Sequence, residues 1–128
     1  MELKEINQKL ETITNTKQTV PLSKRGKEIY YTFDESANIL EIEWGDTEFK
    51  LADYQINDIL DIFFTSDKWY PLGSSMTDPI EGGLGEYVDN TFNSFTPRHA
   101  SAIAAVLVNE NFLTYKGAKP IKLKKDYK

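Results

Sequence analysis

Apolar positions along this chain change period several times, and each change marks a different kind of element. Leu3, Ile6, Leu10 and Ile13 recur at three- and four-residue steps, which predicts a helix over residues 2 to 14 with one apolar stripe. From 28 to 51 the period becomes two. Ile29, Tyr31 and Phe33 alternate with Glu28, Tyr30 and Thr32; after a turn over 34 to 38, Leu40, Ile42 and Trp44 alternate with Glu41 and Glu43. Phe49 and Leu51 continue the alternation past Gly45-Asp46. The pattern predicts a three-stranded antiparallel meander with one buried face and an acidic, solvated outer face. Ile56, Ile59, Leu60, Phe63 and Phe64 then return to helical spacing, with Asp53 as the expected cap and the end near 65 to 68.

The stretch 69 to 83 is rich in Gly, Pro, Ser and Asp and has no period, so it reads as a loop pinned by Trp69 and Tyr70. A short helix is expected over 84 to 92. Pro97 suits a first helical turn with Thr96 as cap, opening a helix over 96 to 110. Ala100, Ile103, Ala104, Val106, Leu107 and Val108 share one broad face of it; Arg98, Ser101, Ala102, Ala105 and Asn109 fall opposite, predicting an exposed face that is small and nearly flat. Strands over 112 to 115 and 120 to 123 would flank Lys116-Gly117-Ala118-Lys119, with Ile121 and Leu123 inward and Lys122 and Lys124 outward. Residues 15 to 27, with Pro21 and the cluster Lys24-Arg25-Gly26-Lys27, read as a linker whose cations are solvated. The expected organisation is an N-terminal helix and linker, 1 to 27, before a single α+β domain, 28 to 128. The a/d-like spacing of the first helix also permits a short dimer seam, though two heptads are too few for a coiled coil alone.

Composition adds bounds. With 128 residues, 40% of them hydrophobic, the chain can bury a core of its own, and it contains no cysteine, so neither disulfides nor thiolate metal sites enter. No run approaches the roughly 20 apolar residues that span a bilayer, and the first residues mix charge with apolar positions, so a cytoplasmic, non-membrane setting is expected. Charge is uneven. Residues 1 to 30 carry six Lys/Arg and four Asp/Glu, 31 to 90 carry two and fourteen, and 91 to 128 carry seven and two, within a net charge of -5. An acidic chain can therefore present a basic end.

Helix, short helix, turn, helix and basic hairpin, over 53 to 125, resemble the winged helix-turn-helix superfamily in order and approximate length. In that likeness GLGEYVDNTFNSFTPRHASAIAAVLVNENFL corresponds to the helix-turn-helix and TYKGAKPIKLKK to the wing. The turn over 90 to 95 is longer than in the simplest versions, and the second helix is short. The resemblance implies that the helix from 96 enters the major groove and that the hairpin lies along the DNA backbone. Arg98, His99, Ser101 and Asn109, beside the small Ala102 and Ala105, supply base-facing donors. Lys116, Lys119, Lys122 and Lys124 would neutralise phosphates. The same flat face would equally suit close packing on another helix or on a partner protein.

Other chemistry finds little support. One histidine, His99, precludes a catalytic His pair or a multi-His metal site. Glu48-Phe49-Lys50 has the acid-x-Lys spacing of certain metal-dependent nucleases, with Asp34 as a conceivable second carboxylate, but charged strands produce that spacing by chance. Asp53, Asp58 and Asp61 lack calcium-loop spacing. Gly82-Gly83-Leu84-Gly85 lacks the Lys and hydroxyl of a phosphate loop and reads as a turn into a helix. The expectation is a non-enzymatic DNA-binding protein with no cofactor, no metal and no small-molecule substrate. The alternative is an acidic protein-interaction module, an inhibitor or adaptor, for which the winged-helix shape is only scaffold.

Overall fold

The computed structural model describes residues 2 to 126. Helix α1 (Leu3–Leu10) is followed by β1 (Lys17–Thr19), β2 (Ile29–Asp34), β3 (Ile39–Trp44) and β4 (Thr47–Ala52). Helix α2 (Asp53–Asp58) widens into a π-turn over Ile59–Phe63, closed by the Phe64 N–H on the Ile59 carbonyl at 3.0 Å. Strand β5 (Tyr70–Pro71), α3 (Leu84–Thr91), α4 (His99–Asn109), β6 (Leu113–Lys116) and β7 (Lys122–Lys125) complete the α+β fold.

The strands form two antiparallel sheets. The larger has the order β1-β2-β3-β4 and the smaller β5-β7-β6. The predicted meander is present, and it gains a fourth strand from the segment expected to be a linker: Lys17 pairs with Tyr31 and Thr19 with Ile29. Pro21 and Leu22 are buried as well, so only the tip of that segment is free of the fold. Nor does α1 stand apart. Ile6, Leu10 and Ile13 join one core with Leu60, Leu107 and Leu123, and the Asn7 amide donates to the Asp53 carboxylate at 3.1 Å. Residues 2 to 27 are thus built into the same body as the rest.

Helix α4 is the axis of the molecule, and here the expected exposed face is overturned. Ala102 and Ala105 are 0% and 1% exposed, and every residue from Ala102 to Leu107 is buried. A helix that is apolar on all sides belongs inside a core. Its small face receives the inner face of the large sheet. Lys17, Tyr31, Ile42 and Phe49 form one row across the four strands, and α4 runs along that row. His99 at one end meets Phe49 edge to face at 4.9 Å, while Asn109 and Glu110 at the other reach Tyr31. The lengths agree: eleven helical steps span about 16 Å, and three strand spacings about 14 Å. Alanines on that side let the strands approach closely.

Two expected caps are also different. Ala52 precedes α2, and the Gln55 side chain accepts its N–H at 2.9 Å; Asp53 is already in the first turn, where its negative charge suits the helix dipole. Thr96 does not cap α4, because its hydroxyl and its N–H both turn to the His99 ring. The Gly-rich turn acts as a dock for α3. Gly83 N–H goes to the Ile80 carbonyl at 3.0 Å and Gly85 N–H to the Leu72 carbonyl at 2.9 Å, so these donors are spent on backbone.

Candidate nucleic-acid interface

The residues expected to contact DNA divide into three places. Lys116 and Lys122 stand directly opposite each other in the small sheet, and Thr114 stands opposite Lys124. Residues paired in this way share a face, so Lys116, Lys122 and Lys124 project together. Trp69, just before β5, lies beneath them, with the Lys116 ammonium 4.3 Å and the Lys124 ammonium 5.6 Å from its ring centre. Lys124 also pairs with Asp67 at 3.1 Å, an exposed contact worth little by itself. Lys119 is exposed at the tip of the hairpin. Lys125 belongs to the other face and donates to the Leu60 carbonyl at 3.0 Å. The outward direction of Lys122 and Lys124 and the inward direction of Leu123 follow the expected alternation, although the strands begin one or two residues later.

Arg98, His99 and Ser101 lie elsewhere, at the start of α4, on the wall of a groove of about 640 Å³. Arg25, Gly26, Lys27 and Trp44 line the same groove, the Trp44 ring centre 5.5 Å from the Arg98 guanidinium. His99 closes an aromatic cluster. Its ring stacks on Phe95 at 5.3 Å and meets the edges of Phe49 and Trp44. The Thr96 N–H donates to Nδ1 at 3.0 Å, so in the neutral ring the proton sits on Nε2. Burial holds the imidazole below its ordinary pKa, favouring that neutral form.

Asn109 sits at the far end of α4 and is committed to structure. Its amide donates to the Tyr31 hydroxyl at 2.6 Å, and that hydroxyl donates to the Glu110 carboxylate, which also pairs with Lys17 at 2.8 Å. Burial, reinforced by Glu110, pushes the Tyr31 phenol far above its usual pKa. The expected base-reading set is therefore corrected. Asn109 is separated from Arg98 by the length of the helix, and Ala102 and Ala105 between them are buried. A buried helix cannot enter a groove of DNA.

Sequence reasoning passed over Trp69, Trp44, Arg25 and Lys27 as site residues. A signal for the first two existed in aromatics beside basic positions, but their partners were set by pairings across more than forty residues of chain. The acid-x-Lys strand also resolves. Glu48 and Lys50 lie on the outer face of the large sheet opposite Glu43 and Glu41, while the Asp34 carboxylate, four cross-strand rows from Glu48, accepts the N–H and hydroxyl of Ser36 in its turn. Among the described residues no group of three or more His, Asp or Glu side chains is placed to hold a metal ion. Among the described residues no helix is long and apolar enough to cross a membrane. In comparisons with known proteins, no family model, no curated protein and no solved structure matches this chain.

Proposed function

We propose that this chain is a non-enzymatic nucleic-acid-binding protein, winged-helix-like in its second half, that holds a DNA phosphate backbone with its small sheet. The order α2-β5-α3-α4-β6-β7, with β5 added to the hairpin beside β7, supports the winged-helix likeness. The observation that carries the binding is the juxtaposition of Lys116 and Lys122, with Lys124 on the same face around Trp69. Like charges directly opposite in a sheet cost stability, and a polyanion across the face removes that cost. Because α4 is covered, the contact is made by the wing, and it senses backbone more than sequence.

Titration of labelled duplex and single-stranded DNA over a range of salt concentrations tests this reading. Binding should weaken linearly in log affinity against log salt, and each lysine changed to alanine should reduce the slope by about one. Absence of binding at low salt, or an unchanged affinity after Lys116, Lys122 and Lys124 all become alanine, would overturn it.

A second reading has its own observation. The outer face of the large sheet is acidic, with Glu43 directly opposite Glu48 and Glu41 in the next outward row. The same repulsion argument favours a basic protein partner there. Reversal of Glu41, Glu43 and Glu48 to lysine should release such a partner and leave DNA binding intact.

A further inference from the structure

The groove at the start of α4 has the features of a small-ligand site, and it is separate from the lysine face. Three cations reach it from two distant segments, Arg25 and Lys27 from the loop before β2 and Arg98 from the turn before α4. None of the three forms an ion pair among the described residues, although the chain carries 20 Asp and Glu and one of them, Asp46, lines the same groove. Two are already positioned. The Arg98 guanidinium lies over Trp44, and the Lys27 stem packs on Gly45, where a Cβ would come within 2.9 Å of it. Stacking of this kind leaves the guanidinium edge, with its N–H fork, free to take two oxygens of one anion.

We infer that this groove binds a phosphomonoester of mononucleotide size, its phosphate held by Arg25, Lys27 and Arg98 and its remaining part lying along Trp44 and Met76. Two guanidinium forks and an ammonium match a doubly charged tetrahedral group better than a single carboxylate. Size supports the rest. At about 640 Å³ the groove falls within the range of small-molecule sites, and a lone inorganic ion would leave most of it empty. The phosphomonoester can come from a free nucleotide or from the phosphorylated end of a strand, which share this chemistry.

The test uses the full chain with Trp69→Phe, so that Trp44 is the only indole, and with Lys116, Lys119, Lys122 and Lys124 changed to alanine, so that the outward lysines of the wing are removed. Adenosine monophosphate, adenosine and a 5′-phosphorylated oligonucleotide are each titrated against Trp44 fluorescence. The expected result is a saturable change with the monophosphate and a far weaker one with adenosine. Arg98→Ala and Arg25→Ala should each weaken binding about tenfold or more. Arg25 lies in an exposed loop, so its variant should keep the fold, which a thermal melt checks. Saturation by the oligonucleotide alone, with the same dependence on both arginines, assigns the ligand to a strand end. No saturation by either up to millimolar concentration, equal binding of adenosine, or affinity unchanged in both arginine variants overturns the proposal. Loss of DNA binding by the wing, measured separately in the lysine variant, would not affect this outcome.

Discussion

The Tyr31 hydroxyl donates to the carboxylate of Glu110, a residue 79 positions along the chain, and this bond ties the large sheet to the end of α4. Glu110 is only 7% exposed, and Lys17 from the edge strand supplies its counter-charge. A buried carboxylate is tolerable only with such partners. Tyr31→Phe should therefore cost about 1–2 kcal/mol, and Glu110→Ala somewhat more, since it also strands Lys17 and the phenol. A double-mutant cycle by urea unfolding, with Glu110→Gln as the second change, measures the coupling; additive effects would show that the bond contributes nothing.

The same phenol gives an alkaline limit. Its pKa is raised in the folded protein by burial first and by Glu110 second. A group raised on folding contributes stability that is complete below its unfolded value, about 10, and is lost as pH climbs through the folded value. Stability should fall progressively above about pH 10, and Tyr31→Phe should flatten that fall. Thermal melts between pH 8 and 11, roughly bracketing the unfolded value, make the comparison.

His99 sets the corresponding acid limit. Burial lowers its pKa from the ordinary 6.5, so the unfolded chain binds a proton that the folded chain refuses. Stability due to this group is complete above about pH 6.5 and declines as pH falls below it. The prediction is an imidazole that titrates below 6.5 by NMR, and a shallower acid dependence of the melting temperature in His99→Gln than in the parent.

Gly85 and Gly82 should respond differently to alanine although they are three residues apart. A Cβ on Gly85 would lie 2.0 Å from the Gly73 carbonyl oxygen, a backbone atom that cannot swing away, whereas one on Gly82 meets nothing within 4 Å. Gly85→Ala should cost about 3 kcal/mol or more, the upper end for overpacking, through forced backbone shifts. Gly82→Ala should cost about 1–2 kcal/mol, from its φ of +79° alone. Equal effects in denaturant melts would mean that α3 can move off its dock.

Lys122→Glu should separate stability from binding. The change replaces a like-charge pair with Lys116 by an opposite-charge pair, which should stabilise by about 0.2–1 kcal/mol. It should weaken DNA affinity and lower the salt slope by more than one alanine change does. A variant that melts higher and binds as tightly as the parent would remove the lysine face from the proposed function.

Much of the element order was readable because burial imposes a period on each local segment. Alternation of Ile29, Tyr31 and Phe33 with polar neighbours gave β2, and the spacing of Ile56, Ile59, Leu60 and Phe64 gave the α2 region with the correct buried side. The candidate site was less legible. Ala102 and Ala105 are small on any surface, and local pattern could not say whether solvent, DNA or a sheet covers them. The nearly unbroken apolar run of α4 was the available clue to its burial. Lys17 to Thr19 carries too few residues for a period, so β1 became visible only through its pairing with β2.

The sequence by itself determined α1, the strands of the meander, the helices that follow and the C-terminal hairpin, the sign of charge in each of three segments, and the alternation that turns Lys122 and Lys124 outward from Leu123. Only the tertiary structure decided that the large sheet packs against α4, that Asn109 serves Tyr31, and that Arg25, Lys27 and Arg98 line one groove. Periodicity reports which side of an element is buried; which other element buries it depends on contacts distant in sequence, and no local pattern encodes those.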